Sequence, residues 1–124
     1  TDVPVLNNEG VNGMYLSSEG VTGTEVWGKR ARWMRLSGEQ EGHQVALVLL
    51  DHPGNPGYPT YWHARGYGLF AANPLGQAIF SEGKERFDFR LGPGESVTFR
   101  YQLLVAGEEL SPEAIEAAFE AFAK

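Results

Sequence analysis

Two histidines, an arginine and several tyrosines crowd into residues 51–76, DHPGNPGYPTYWHARGYGLFAANPLG. This stretch holds two of the chain's three histidines, four of its seven prolines and three of its five tyrosines. Histidine exchanges a proton near neutral pH, so His52 and His63 are the natural candidates for acid and base. If residues 61–65 are extended, Tyr61, His63 and Arg65 project to one side and Trp62 to the other. An imidazole and a guanidinium beside a phenol can bind and polarise a hydroxyl, a carboxylate or a sugar ring. Tyr58, Tyr61, Trp62 and Tyr67 offer flat faces on which a carbohydrate could stack. We therefore take His52, His63 and Arg65 as catalytic candidates, with Tyr58, Tyr61, Trp62, Tyr67 and Asp51 as substrate-binding candidates. Plainer readings stand beside these. A His-Pro pair often caps a turn through its ring nitrogen, aromatic residues among prolines often plug the end of a sandwich, and Asp51, Asn55 and Asn73 are typical turn residues.

A metal site is a second chemistry for the same residues. His52 and His63, with Asp51 or another oxygen ligand, could hold a single copper, iron or zinc ion, although their spacing matches no metal signature. No cofactor is therefore assigned. With no cysteine in the chain, a thiolate site and a disulfide framework are both excluded. No glycine-rich nucleotide loop and no GxSxG are present, so nucleotide cofactors and serine-hydrolase chemistry have no support.

The remaining elements must hold this loop. Pro53, Pro56, Pro59 and Pro74 remove backbone donors and fix φ, so the loop itself is expected to be irregular. Its aromatic content argues against disorder. Residues 43–50, HQVALVLL, read as a strand buried on both faces, because the apolar run is continuous. His52 follows it directly, and His43 at its start is expected on the surface. Residues 1–23 carry turn-forming dipeptides with one or two short strands. In residues 24–36, Trp27 and Trp33 share a parity, which fits a strand burying one side. The basic run Lys29, Arg30, Arg32 and Arg35 reads as a charged face pairing with nearby acids, with single-stranded nucleic acid as the less favoured partner; its arginines could equally line an anionic sugar site. Residues 77–80 are expected as a short strand and 81–85 as a turn. In residues 86–105, two period-two runs flank Gly92-Pro93-Gly94-Glu95, which predicts an antiparallel hairpin. Ser111, Pro112 and Glu113 open a helix over about 111–123 with Ile115, Ala118, Phe119 and Phe122 on one stripe.

Short strands joined by turns, with one terminal helix, predict a mainly β fold: an antiparallel β-sandwich or jelly roll forming a single domain over residues 1–124. The net charge of −6 argues against a general nucleic-acid or anionic-membrane surface. The longest apolar run, residues 45–50, is six residues and too short to span a bilayer. Thr1 in place of an initiator methionine leads us to expect a processed chain or a piece of a longer protein. Location is open between the cytoplasm and the periplasm or exterior, and membrane embedding is not expected.

The string at 51–76 also resembles the signature region of the PmoA-like family, uncharacterised bacterial proteins often found beside carbohydrate-degrading genes. WGKRARW at 27–33 and the closing strand-then-helix order are similar too. The resemblance covers most of this chain and the C-terminal part of the family's longer one. It implies a β-sandwich of the galactose-mutarotase type, in which histidines and acids on a concave sheet handle a sugar. Carried over by position, it marks His52, Tyr61, His63 and Arg65. Where the family commonly has a basic residue and then histidine after Asn-Pro, this chain has Gly57-Tyr58. Half of such a sandwich would expose sheet edges, so a homodimer or a compact rearrangement is expected. Three functions follow: a carbohydrate-active protein, a small metal-dependent oxidative enzyme on a jelly roll, or a non-catalytic glycan-binding module.

Overall fold

The computed structural model describes residues 13–65 and 69–124. Along the chain run β1 (Gly13–Ser17), β2 (Trp33–Gln40), β3 (His43–Asp51), β4 (Trp62–Ala64), β5 (Phe70–Ala72), the short helix α1 (Gln77–Phe80), β6 (Tyr101–Ala106) and α2 (Pro112–Ala123). A 3₁₀ turn, Gly23–Val26, precedes β2. The fold is antiparallel throughout: four strands pair in the order β1-β2-β3-β6, and β4 pairs with β5 in a separate ribbon. Neither sheet closes on itself.

The β2–β3 hairpin turns on two residues, Glu41 and Gly42, both at positive φ. That conformation matches the right-handed twist of the strands it joins. The register that follows places Trp33 opposite Leu50 and Arg35 opposite Val48 on one face of the sheet. Helix α2 covers this face: Ile115 and Phe119 pack with Trp33, Val48 and Leu50, and Leu104 joins them from β6. Ser111 caps the helix by accepting from the Ala114 amide at 3.2 Å. The opposite face is covered only in part. Tyr15, Met34 and Leu36 pack there against Val26, Ala31, Trp62 and Ala64, while Leu103 and Val105 of β6 stay 57% and 70% exposed.

Glu116 ties the helix to the sheet. Its Oε1 lies 2.6 Å from Arg32 Nη1, and its Oε2 accepts from Trp33 Nε1 at 3.1 Å. The Arg32 hydrogen bond foremost holds the Glu116 carboxyl below its ordinary value of 4.5. A folded pKa below the unfolded one gives stability that is complete above the ordinary value and lost as pH falls through the folded one. Glu116→Gln should therefore cost about 1 kcal/mol at neutral pH, solvent screening keeping the loss small. The cost should vanish in urea titrations run below the folded pKa.

Five sequence expectations change. Within residues 51–76, expected to be irregular, Trp62–Ala64 and Phe70–Ala72 pair as an antiparallel ribbon, because the prolines lie outside residues 60–73. Residues 27–32 form no strand, because Gly28 takes a positive φ of 70° and its amide donates to Trp62 O at 2.9 Å. Residues 77–80 are helical rather than extended, since Asn73 accepts from the Leu75 amide at 3.1 Å and Pro74 starts a 3₁₀ turn that runs into α1. β3 is fully buried on one face only: Ala46, Val48 and Leu50 are buried and Val45, Leu47 and Leu49 half-buried, because the ribbon stops short of β6. The hairpin of residues 86–105 keeps its turn, with the Glu95 amide donating to Gly92 O at 3.1 Å, but no ladder forms before Tyr101. Phe87, Phe89 and Phe99 instead contact one another ring to ring. The chain ahead of this segment is held elsewhere, by Glu85.

Candidate functional site

The site is assembled on β4. Alternation along this strand buries Trp62 and Ala64 and leaves His63 half-exposed. Trp62 Nε1 donates to Ala31 O at 2.9 Å, and the Trp62 amide donates to Lys29 O at 3.1 Å. These bonds pin residues 27–31 alongside β4, so Trp27 lies against His63, edge to face at 6.4 Å between ring centres. The Arg65 guanidinium sits over the Trp27 ring, 4.5 Å from its centre.

Phe80, delivered by α1, joins the two ends of the surface. Its ring centre is 5.2 Å from Trp27, 5.6 Å from His63 and 5.6 Å from Tyr61. Gly76 makes that approach feasible, since a Cβ there would meet Phe80 Cε2 at 2.7 Å. At the far end, Arg30 lies over the Tyr61 ring at 4.7 Å and pairs with Glu85 at 3.1 Å. Tyr61 donates its hydroxyl to the same Glu85 carboxylate. Burial, then the neighbouring carboxylate, raises the Tyr61 pKa, while the hydrogen bonds from Tyr61 and then Arg30 lower that of Glu85. The phenol thus stays protonated and the carboxylate ionised at neutral pH. Tyr61, Phe80, Ser81, Glu82, Lys84 and Glu85 line an open depression of about 390 Å³.

Tyr61, His63 and Arg65 therefore share one surface, as their parity predicts. Trp27 Nε1 adds a donor: it is buried and meets no acceptor among the described residues, whereas a buried indole N–H normally finds one.

The other sequence candidates lie elsewhere. His52 packs edge to face on Phe122 of α2 at 5.1 Å, and its Nδ1 accepts from the Gly54 amide at 2.9 Å. Its ring therefore caps the turn at Pro53-Gly54. Asp51 is buried: Oδ1 accepts from Asn55 Nδ2 at 2.7 Å and Oδ2 from the Thr60 amide at 3.0 Å. Burial raises its pKa against the pull of these hydrogen bonds. Tyr58 packs into the α2 side of the core. Trp62 is 0% exposed and is core rather than a stacking face. Tyr67 lies outside the described residues. His43 is exposed, as expected. Among the described residues no three His, Asp or Glu side chains gather so as to hold a metal ion.

Trp27, Phe80 and Glu85 escaped sequence reasoning as site residues, and Arg30 entered it only as part of a basic run that could line an anionic sugar site. Arg30 and Glu85 are 55 positions apart, and only the Trp27-Gly28 pair carried a local signal, a glycine free to turn the chain. The basic run does pair with acids, but with Glu85 and Glu116 rather than its sequence neighbours.

The model of a family of unknown function, DUF6807, matches residues 3–120. The chain belongs to the DUF6807 family. No curated protein matches it, and no solved structure does. Membership of this family assigns no activity. Among the described residues no helix is long and apolar enough to cross a membrane.

Proposed function

We propose that this chain binds a carbohydrate on the surface formed by Trp27, His63, Phe80 and Tyr61, with Arg65 and the Arg30–Glu85 pair as flanking polar contacts. One observation carries the reading: Tyr61, His63 and Arg65 converge with two distant aromatic rings, Trp27 and Phe80. Sugar rings present apolar C–H faces and outward hydroxyls, so a binder needs flat apolar surface bordered by donors and acceptors. Arg65 supplies donors, Glu85 supplies acceptors, and His63 supplies either. The PmoA-like resemblance, with its sugar-handling sandwich, supports the same reading, as does the β4–β5 ribbon laid over part of the larger sheet. If the site also turns over its ligand, His63 is the residue to carry the proton. The metal-dependent alternative loses support, because His52 and His63 have different neighbours and His52 Nδ1 is already engaged.

The test is saturation-transfer NMR and tryptophan fluorescence against a panel of neutral and uronic-acid oligosaccharides. Arg65→Gln and His63→Ala should each weaken binding about tenfold, the cost of about 1.4 kcal/mol of contact. His52→Ala, a turn residue remote from this surface, should leave affinity unchanged. An oligosaccharide that binds equally well to Arg65→Gln and His63→Ala, or no binding across the panel, would sink the proposal.

A further inference from the structure

The outer edge of β6 is the most conspicuous unfinished surface of the fold. Among the described residues β6 pairs with β3 on one side and ends the four-stranded sheet. The Arg100 amide donates to Asn55 Oδ1 and its carbonyl accepts from the His52 amide, so the backbone of Arg100 points toward the β3 side. Backbone direction alternates along an antiparallel strand. Tyr101, Leu103 and Val105 therefore aim their N–H and C=O groups at the open edge. Their side chains are 39%, 57% and 70% exposed, on the face where Leu47 and Leu49 are half-covered.

Natural sheets blunt such an edge with lysine, proline, a bulge or a covering segment. The strand Tyr101–Ala106 is YQLLVA, with no charge and no proline. Residues 81–86, which a hairpin continued from Gly92–Glu95 would set against it, form no strand, and Glu85 is bound to Arg30 and Tyr61 instead.

We propose that the occupant of this edge is β6 of a second copy, paired antiparallel about a two-fold axis at Leu104. Outward-facing residues must then oppose outward-facing ones, which requires an even register sum. Placing Leu104 opposite Leu104 of the second copy meets that condition and sets Leu103 against Val105, apolar on apolar, twice. The same register sets Arg100, just before the strand, against Glu108, just after it, also twice. Both side chains are exposed in the single chain. Charge complementarity thus selects this register: shifting the axis to Leu103 would set Arg100 against Ala106 instead. The product is a continuous eight-stranded sheet in which the two exposed apolar rows shield one another.

Sedimentation equilibrium of the whole chain tests this. A dimer is expected, and Leu103→Lys with Val105→Lys should make it monomeric with an unchanged far-UV spectrum. Arg100→Glu and Glu108→Arg should each weaken the dimer about tenfold, because two attractive pairs become repulsive. The double exchange R100E/E108R should restore it. A chain that stays monomeric at about 100 µM, where a specific micromolar dimer is formed, overturns the proposal. So does a dimer that survives the lysine pair, or a double exchange that fails to rescue.

Discussion

Trp62→Ala is expected to remove about 3–5 kcal/mol of folding stability, the range for deleting a large buried aromatic side chain. Domains of this size are commonly stable by only about 5–15 kcal/mol, so the loss would take a large share of the total. Trp62 is fully buried among Tyr15, Val26, Ala31, Met34 and Leu36, which makes it the centre of the layer between the ribbon and the large sheet. Its indole N–H also fixes Ala31 O, and through residues 27–31 it positions Trp27 beside His63. Trp62→Phe should keep most of the packing but leave that carbonyl without its donor, at about 1–2 kcal/mol. Urea unfolding followed by circular dichroism gives both values. Were Trp62 a ligand-stacking face, its removal would leave stability nearly unchanged; a loss under about 1 kcal/mol would contradict the core assignment.

Asn55→Ala is expected to cost about 2–4 kcal/mol, because one side chain closes three hydrogen bonds, one buried and two part-buried. Asn55 Nδ2 donates to Asp51 Oδ1 and to Arg100 O, and its Oδ1 accepts from the Arg100 amide, each at 2.7 Å. Together these clamp the root of the loop between β3 and the start of β6. Without Asn55, the buried Asp51 carboxylate keeps, among the described residues, only the Thr60 amide as a donor. Burial already raises the Asp51 pKa, and losing a hydrogen bond that favoured the ionised form must raise it further. The sign follows. A carboxyl whose folded pKa exceeds its unfolded value keeps its proton longer in the native state, so stability falls as pH rises through the window between the two. In Asn55→Ala that window should extend upward, and the deficit relative to the parent should shrink in mildly acidic buffer. Urea midpoints measured from the ordinary aspartate range to neutrality check this; a pH-independent deficit would remove Asp51 from the explanation.

The local features of the fold were legible in the sequence. A cap at Ser111, a proline at the first helical position and an i, i+3, i+4, i+7 stripe name α2 because each reports on residues within one or two turns. Its observed span, Pro112–Ala123, differs little from the expected one. β3 was legible from its apolar run, but not which of its faces would lie half open. That depends on how far the β4–β5 ribbon reaches across the sheet. The 86–105 region shows the limit of periodicity. Its alternation persists as half-buried and exposed side chains over residues 86–90 and 96–100 but not in β6, where Tyr101, Leu103 and Val105 are exposed and Leu104 meets the core; a ladder also needs a partner in register, and the chain before it is drawn toward Tyr61.

By itself the sequence determined that the proline-rich residues 52–60 would be irregular after a buried strand, and that Tyr61, His63 and Arg65 would share a side; it did not show that Trp62–Ala64 and Phe70–Ala72 would pair as strands. Proline chemistry and two-residue alternation act between neighbours, so no distant contact is needed to read them. Only the tertiary structure decided which rings complete the surface, and it brought in Trp27 and Phe80. It also separated the two histidines, giving His52 to a turn beside α2 and His63 to the open face. Asp51 and Asn55 became a buried clasp for the same reason: their partners Thr60 and Arg100 reach them only once the chain has folded back. Such contacts join residues as far as 84 positions apart, as Arg32 and Glu116 are, and no local pattern encodes which pairs will meet.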